Sequence, residues 1–164
     1  MKKLPRRNCL LVSIFLLLLS GCGYQILNLA SEKKVYISVF ENLTLQPQME
    51  IYIIKNLREK IMSYPLFNLV EDKKDADIII EGKIEKFWRE PLFFSSEDTR
   101  DIVMGRMWIE IEVKIEKGEN VWSEKIKENI GVPLVEEYEE EKVLEKLGEE
   151  IARKIFFILV KNER

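Results

Sequence analysis

Cysteine is the most reactive side chain in this sequence, and it occurs twice, at Cys9 and Cys22. Cys22 closes the tetrapeptide Leu19-Ser20-Gly21-Cys22 at the end of an apolar run written LLLLSGCGYQ. An aliphatic residue, two small residues and then cysteine make a bacterial lipobox. The small residues let the chain enter a signal peptidase, and the thiol takes a diacylglycerol as a thioether. The flanking residues fit that chemistry. Lys2, Lys3, Arg6 and Arg7 form a positive start, and Leu10 to Leu19 is apolar except for Ser13. Those ten residues fall short of the ~20 that a membrane-spanning helix needs. A charged start, a short apolar core and small residues at its end describe a signal peptide. The expected layout is therefore a signal over 1–21, a lipidated tether over 22–34 and one domain over 35–164. Gly23, rather than an acidic residue, follows the cysteine, which in enteric-like bacteria favours sorting to the outer membrane. Two or more acyl chains anchor a protein stably where one does not. An ordinary secretory signal with an incidental cysteine is the plainer alternative.

Other chemistry is scarce. The chain has no histidine, and with Cys9 removed and Cys22 acylated no disulfide can form. There is no Gly-rich phosphate loop and no Ser/His/Asp or Cys/His set. Carboxylates are abundant but patterned for solvent, without the burial that would drive two pKa values apart. The run EEYEEE at 136–141 reads as the solvated first turn of a helix rather than a cation site, and Asn42 in NLT reads as a turn residue. The expectation is a protein without catalytic activity, metal or cofactor. Cleavage before Cys22 would leave 143 of the 164 residues, with 22 basic against 29 acidic and a net charge of −7. That balance argues against a nucleic-acid partner, which calls for a basic face.

The elements that would carry this body follow from periodicity. Lys33 to Phe40 alternates as a strand. Pro47 suits the first turn of a helix running to about Met62, with Ile53 or Ile54, Leu57 and Ile61 as its apolar stripe. Pro65 ends it, and FNLV after it is a short extended piece. In DIIIEGKIEKFWRE, Ile78, Ile80, Gly82 and Ile84 share one face of a second strand, which Pro91 stops. Leu92 to Asp101 reads as a loop. Met107, Ile109, Ile111, Val113 and Ile115 mark the clearest strand, alternating with Trp108 and charged residues. The KGEN turn, with Gly118 free to take a positive φ, returns it as a fourth strand. A helix from about Glu137 to Leu159 closes the chain, with Gly148 inside it, read as a point of close packing on the sheet. The order β-α-β-β-β-α predicts an α+β fold: a four-stranded mixed sheet with two helices on one face, the first two strands parallel across the crossover. The opposite face carries rows of Glu and Lys broken by Trp108.

In that order, the segments LSGCGYQ, ISVFENLTLQPQME, LFNLVEDKKDADIIIEGKIEKFWREP and IEIEVKIEKGENVWSEKI, followed by the terminal helix, resemble the LptE lipoproteins. The likeness runs along nearly the whole mature chain, although no long hydrophilic C-terminal tail is present. It implies a non-catalytic lipoprotein of the outer membrane. Such a protein sits as a plug inside the lipopolysaccharide (LPS) transport barrel LptD, assists its assembly and is reported to bind LPS. A plug needs polar faces to fill a polar lumen, which the Glu/Lys rows would supply; the plainer reading of those rows is a solvated sheet face. Contact with LPS phosphates would need cations: Lys86, Arg89, Arg100 and Arg106 flank the aromatic stretch holding Phe87, Trp88, Phe93 and Phe94. For the cations the plainer reading is ordinary surface charge, and for the rings, core packing. A rival function is an outer-membrane lipoprotein that activates a periplasmic enzyme such as a peptidoglycan synthase. Such regulators carry long linkers, whereas here about a dozen residues separate Cys22 from Val35, a reach of roughly 40 Å. A lipid-anchored hydrolase lacks a catalytic set.

Overall fold

The computed structural model describes residues 32–94, 102–133 and 139–162. The elements in chain order are β1 (Lys33–Ile37), β2 (Glu41–Asn42), α1 (Met49–Met62), β3 (Phe67–Leu69), β4 (Ile78–Phe94), β5 (Ile102–Lys117), β6 (Asn120–Pro133) and α2 (Glu140–Lys161), with a 3-10 turn at Lys73–Asp75 before β4. The fold is α+β, with two helices and a mixed sheet. The sheet has six strands rather than the four expected: the order is β3-β1-β4-β5-β6, and β2 pairs with β4. The two additional strands are two and three residues long, too short to show a period. β2 exists because the chain breaks its alternation after Ile37 and rejoins the sheet at Glu41, alongside Lys83 and Ile84. FNL becomes β3 by running parallel to β1, with Lys33 opposite Phe67. The predicted parallel pairing of the first strand with β4 is present, with Val35 opposite Ile78.

One face of the sheet is apolar. Val35, Ile37, Ile78, Ile80, Ile84, alternate residues from Met107 to Ile115, and Ile126 join the α1 stripe (Met49, Ile53, Leu57, Ile61) and the α2 stripe (Leu144, Leu147, Ile151, Ile155, Ile158) in one buried cluster. Each such side chain contributes about 1.5–3 kcal/mol on burial. None of the described residues in this core is charged or polar. Gly118 takes φ +57° at the first of two turn positions, as a type II′ hairpin connection requires. That turn fixes which way the backbone points. Lys117 and Asn120 flank it as a bonded pair, so odd-numbered residues of β5 and even-numbered residues of β6 bond each other across the hairpin.

Strand β4 departs from expectation in two ways. It passes through Pro91 and includes Leu92–Phe94, the stretch read as a loop. Pro91 lies opposite Gly105, where the hairpin phase directs its nitrogen away from β5, toward the side of β4 that carries no paired strand there. Second, Glu85 is an extra residue: Ile84 pairs with Ile111 and Lys86 with Glu110. A bulge of this kind exchanges the two faces for every residue beyond it.

Gly148 packs on the neighbouring helix rather than on the sheet. A Cβ there would lie 2.8 Å from Tyr52 Cβ and 3.1 Å from the Tyr52 carbonyl carbon of α1. On an isolated helix Gly→Ala gains about 1 kcal/mol. Gly148→Ala is instead expected to destabilise the fold by about 1–3 kcal/mol through overpacking against backbone, read as a lower urea midpoint. A rise in the midpoint would mean that the helices do not approach this closely.

Candidate functional site

The face-exchanging bulge at Glu85 builds the one aromatic cluster on the open face of the sheet among the described residues. Beyond it Trp88 turns outward and stands opposite Trp108 of β5. The two indoles stack at 5.6 Å between centroids, 3° from parallel. Lys127 Nζ of β6 lies 5.0 Å from the Trp88 ring and 4.8 Å from the Trp108 ring. The Arg106 guanidinium lies 5.5 Å from the Trp108 ring. Trp108 Nε1 donates to Glu90 Oε2 at 2.9 Å. Glu110 sits beside this group, bonded by Lys86 at 2.9 Å and facing Lys127 at 3.4 Å. The Lys86 ammonium, aided by Lys127, holds the Glu110 carboxyl below the ordinary carboxylate range, against a partial desolvation that would raise it.

Below the tryptophans the Glu/Lys rows neutralise one another. Lys125 pairs with Glu85 at 2.8 Å and Lys73 with Glu81 at 2.9 Å, while Lys114 bonds Glu116. Bonding to Glu85 and to Glu116 raises the pKa of Lys125 and of Lys114 respectively. Exposed pairs of this kind contribute little stability each. Their effect is a polar, nearly neutral surface that presents donors and acceptors across the whole sheet. Among the described residues Arg106 makes no ion pair; its guanidinium lies over the Trp108 ring.

The sequence-selected residues divide accordingly. Lys86, Trp88 and Arg106 come together on the open face. Phe87 lies on the opposite side, half-buried against the core. Arg89 is also on that side, bonded to Glu140 at the start of α2 and 3.5 Å from Gln46 Oε1, so it joins the β4 edge to the helix layer. Arg89, Pro91, Gly105, Arg106, Met107 and Val132 line a pocket of about 280 Å3 near the far end of the hairpin. Phe93 and Phe94 belong to β4, opposite Met104 and Ile102; their side chains, with Arg100 and Cys22, lie outside the described residues. The sequence reading missed Trp108, Lys127, Glu90 and Glu110 as members of the site. Trp108 was legible as a break in the charged row, but its partner is set by the bulge, which has no local signature. Trp108→Ala removes one stacking pair, the cation–π contacts of Lys127 and Arg106 with this ring, and the indole hydrogen bond to Glu90, together worth about 1.5–3 kcal/mol. That loss should appear as a lower chemical-denaturation midpoint with unchanged far-UV circular dichroism; an unchanged midpoint would mean that the rings do not stack in solution.

Among the described residues no helix is long and apolar enough to cross a membrane, and no group of acidic, Cys or His side chains could hold a metal ion. The chain matches no family model, and no curated protein sequence matches it. Solved structures do match. Rare lipoprotein B from Shewanella oneidensis superposes with a TM-score of 0.53 at 13% identity, over 78% of this chain and 96% of that one. Lipoprotein B from Nitrosomonas europaea gives 0.53 at 15%, over 76% and 79%. A minor lipoprotein from Acinetobacter baumannii gives 0.53 at 10%, over 80% and 94%. At these identities the likeness establishes a shared fold: this chain has the architecture of that group of bacterial lipoproteins.

Proposed function

We propose that this protein is a non-catalytic lipoprotein of the outer membrane, anchored through Cys22. In this reading it partners and plugs the LPS-transport barrel LptD and assists the barrel's assembly and the insertion of LPS into the outer leaflet. The observation that carries the reading is the pairing of two independent features. The chain opens on a lipid-attachment signature, and its body has the fold of three bacterial lipoproteins. The open sheet face supports the same conclusion on physical grounds. A polar lumen has to be filled by a body whose surface is hydrogen-bonding, nearly neutral and held in place. Interlocked Glu/Lys rows around a stacked tryptophan pair meet that need. The cations Lys86, Arg106 and Lys127 beside Trp88 and Trp108 are also suited to the phosphates and sugar rings of LPS.

Affinity capture of the tagged protein from detergent-solubilised outer membrane tests the reading. A stoichiometric LPS-transport barrel in the eluate is the expected result. A peptidoglycan synthase in its place would establish the rival function, that of an enzyme-activating lipoprotein.

A further inference from the structure

The sheet ends on β6, which carries no neighbouring strand among the described residues. Because the hairpin phase bonds the even-numbered residues of β6 to β5, the N–H and C=O groups of the odd-numbered residues face the open edge. The protein closes part of that edge itself. Lys154 of α2 donates to the Lys127 carbonyl at 3.4 Å, and Glu128 Oε1 accepts the Asn129 N–H at 3.0 Å. Glu128 and Lys154 are also an ion pair. Desolvation pushes the Glu128 carboxyl up, but the bonds from Lys154 and the Asn129 N–H together outweigh it and hold the carboxyl below its ordinary range. This latch occupies two successive edge groups, and among the described residues no strand pairs with those of Val121, Ser123 and Lys125. Beside β6 runs a groove of about 520 Å3 between this strand and α2. Its floor includes Ile126 and Ile158, and Phe157 stands in it 68% exposed. Lys125, Lys127, Arg153, Lys154 and Glu124 also line it, and each of the four cations is ion-paired, with Glu85, Glu110, Glu150 and Glu128 respectively.

We propose that the open part of the β6 edge is a strand-addition site for an extended segment of the barrel partner. The inference rests on the function proposed above and names the surface used. An exposed edge with unpaired backbone groups is a template for an added strand. Alternate side chains of that strand would point to opposite faces. Those directed inward cover Phe157 and Ile126 and are therefore apolar. Those directed outward lie beside the Lys125–Glu85 and Lys127–Glu110 ion pairs and are therefore polar. The latch stops the added strand at Lys127 and so fixes its register.

The test compares capture of the barrel from solubilised outer membrane by the wild-type, Lys125→Pro and Phe157→Glu proteins. Lys125→Pro removes an N–H that bonds no strand in the sheet, and Phe157→Glu changes an exposed ring, so each keeps the cooperative thermal unfolding of the wild type. Barrel recovery is expected to fall about tenfold in both. Equal recovery from all three proteins overturns this inference alone. Absence of the barrel from the wild-type capture overturns the proposed function and this site together. A wild-type dimer in sedimentation that Lys125→Pro turns into a monomer would make the occupant a second copy and overturn the assignment.

Discussion

Purified native protein should pellet with phospholipid vesicles, and the Cys22→Ala protein should stay in the supernatant, a loss of at least about a thousandfold in membrane partition. The size of the effect follows from acyl-chain length. Each buried methylene contributes ~0.8 kcal/mol, so one chain gives only marginal, reversible binding and two or three give a stable anchor. Nothing in the described body replaces that anchor. Its helices bury their apolar stripes against the sheet and against each other, and its open face is a lattice of paired charges. The variant is best exported on an ordinary secretory signal in place of residues 1–21, because without the cysteine the lipoprotein peptidase has no substrate. Vesicles without any barrel separate lipid anchoring from retention by a partner. Equal pelleting of both proteins would mean that the body binds lipid by itself and that the thiol is not the anchor.

The second large effect lies in the core. Gly82 of β4 faces inward beneath Phe40, and a Cβ there would lie 2.4 Å from Cδ2 and 2.5 Å from Cε2 of that ring. Phe40 is buried at the break between β1 and β2, where the aromatic ring occupies the volume that a larger residue at position 82 would take. Gly82→Ala is therefore expected to cost about 1–3 kcal/mol by overpacking, even though alanine suits a strand no worse than glycine. Phe40→Leu alone should cost a comparable amount by leaving a void. In the double variant the leucine makes room for the methyl group, and the two losses should sum to clearly less than their separate values. Urea denaturation of the four proteins measures this coupling. Strict additivity would mean that the ring does not lie over Gly82.

What could be read in advance follows from the length of each pattern. β5 alternates from Met107 to Ile115, and both helices repeat their apolar residues over three or more turns, so their types and buried faces were legible. Glu41–Asn42 and Phe67–Leu69 are shorter than any period and become strands only because β4 and β1 offer them edges. Pro91 reads as a stop in sequence, yet it is accommodated because its nitrogen faces a side of β4 with no partner. The candidate site was legible in kind, as cations near aromatics, but not in arrangement. Phe87 and Trp88 are adjacent, and only the extra residue at Glu85 decides that the tryptophan, rather than the phenylalanine, joins the open face. Trp108 and Lys127 enter the site through pairing with strands distant in sequence, which no local pattern reports.

The central claim is that this body works inside a transport barrel with the open face of its sheet toward the wall. A photo-crosslinking amino acid placed at position 108 tests it in intact cells, because that side chain stands in the middle of the face. The account predicts a crosslink to the LPS-transport barrel that is lost when the probe is moved to the buried position 109. Crosslinks at position 108 to a periplasmic synthase, with none to the barrel, would contradict it.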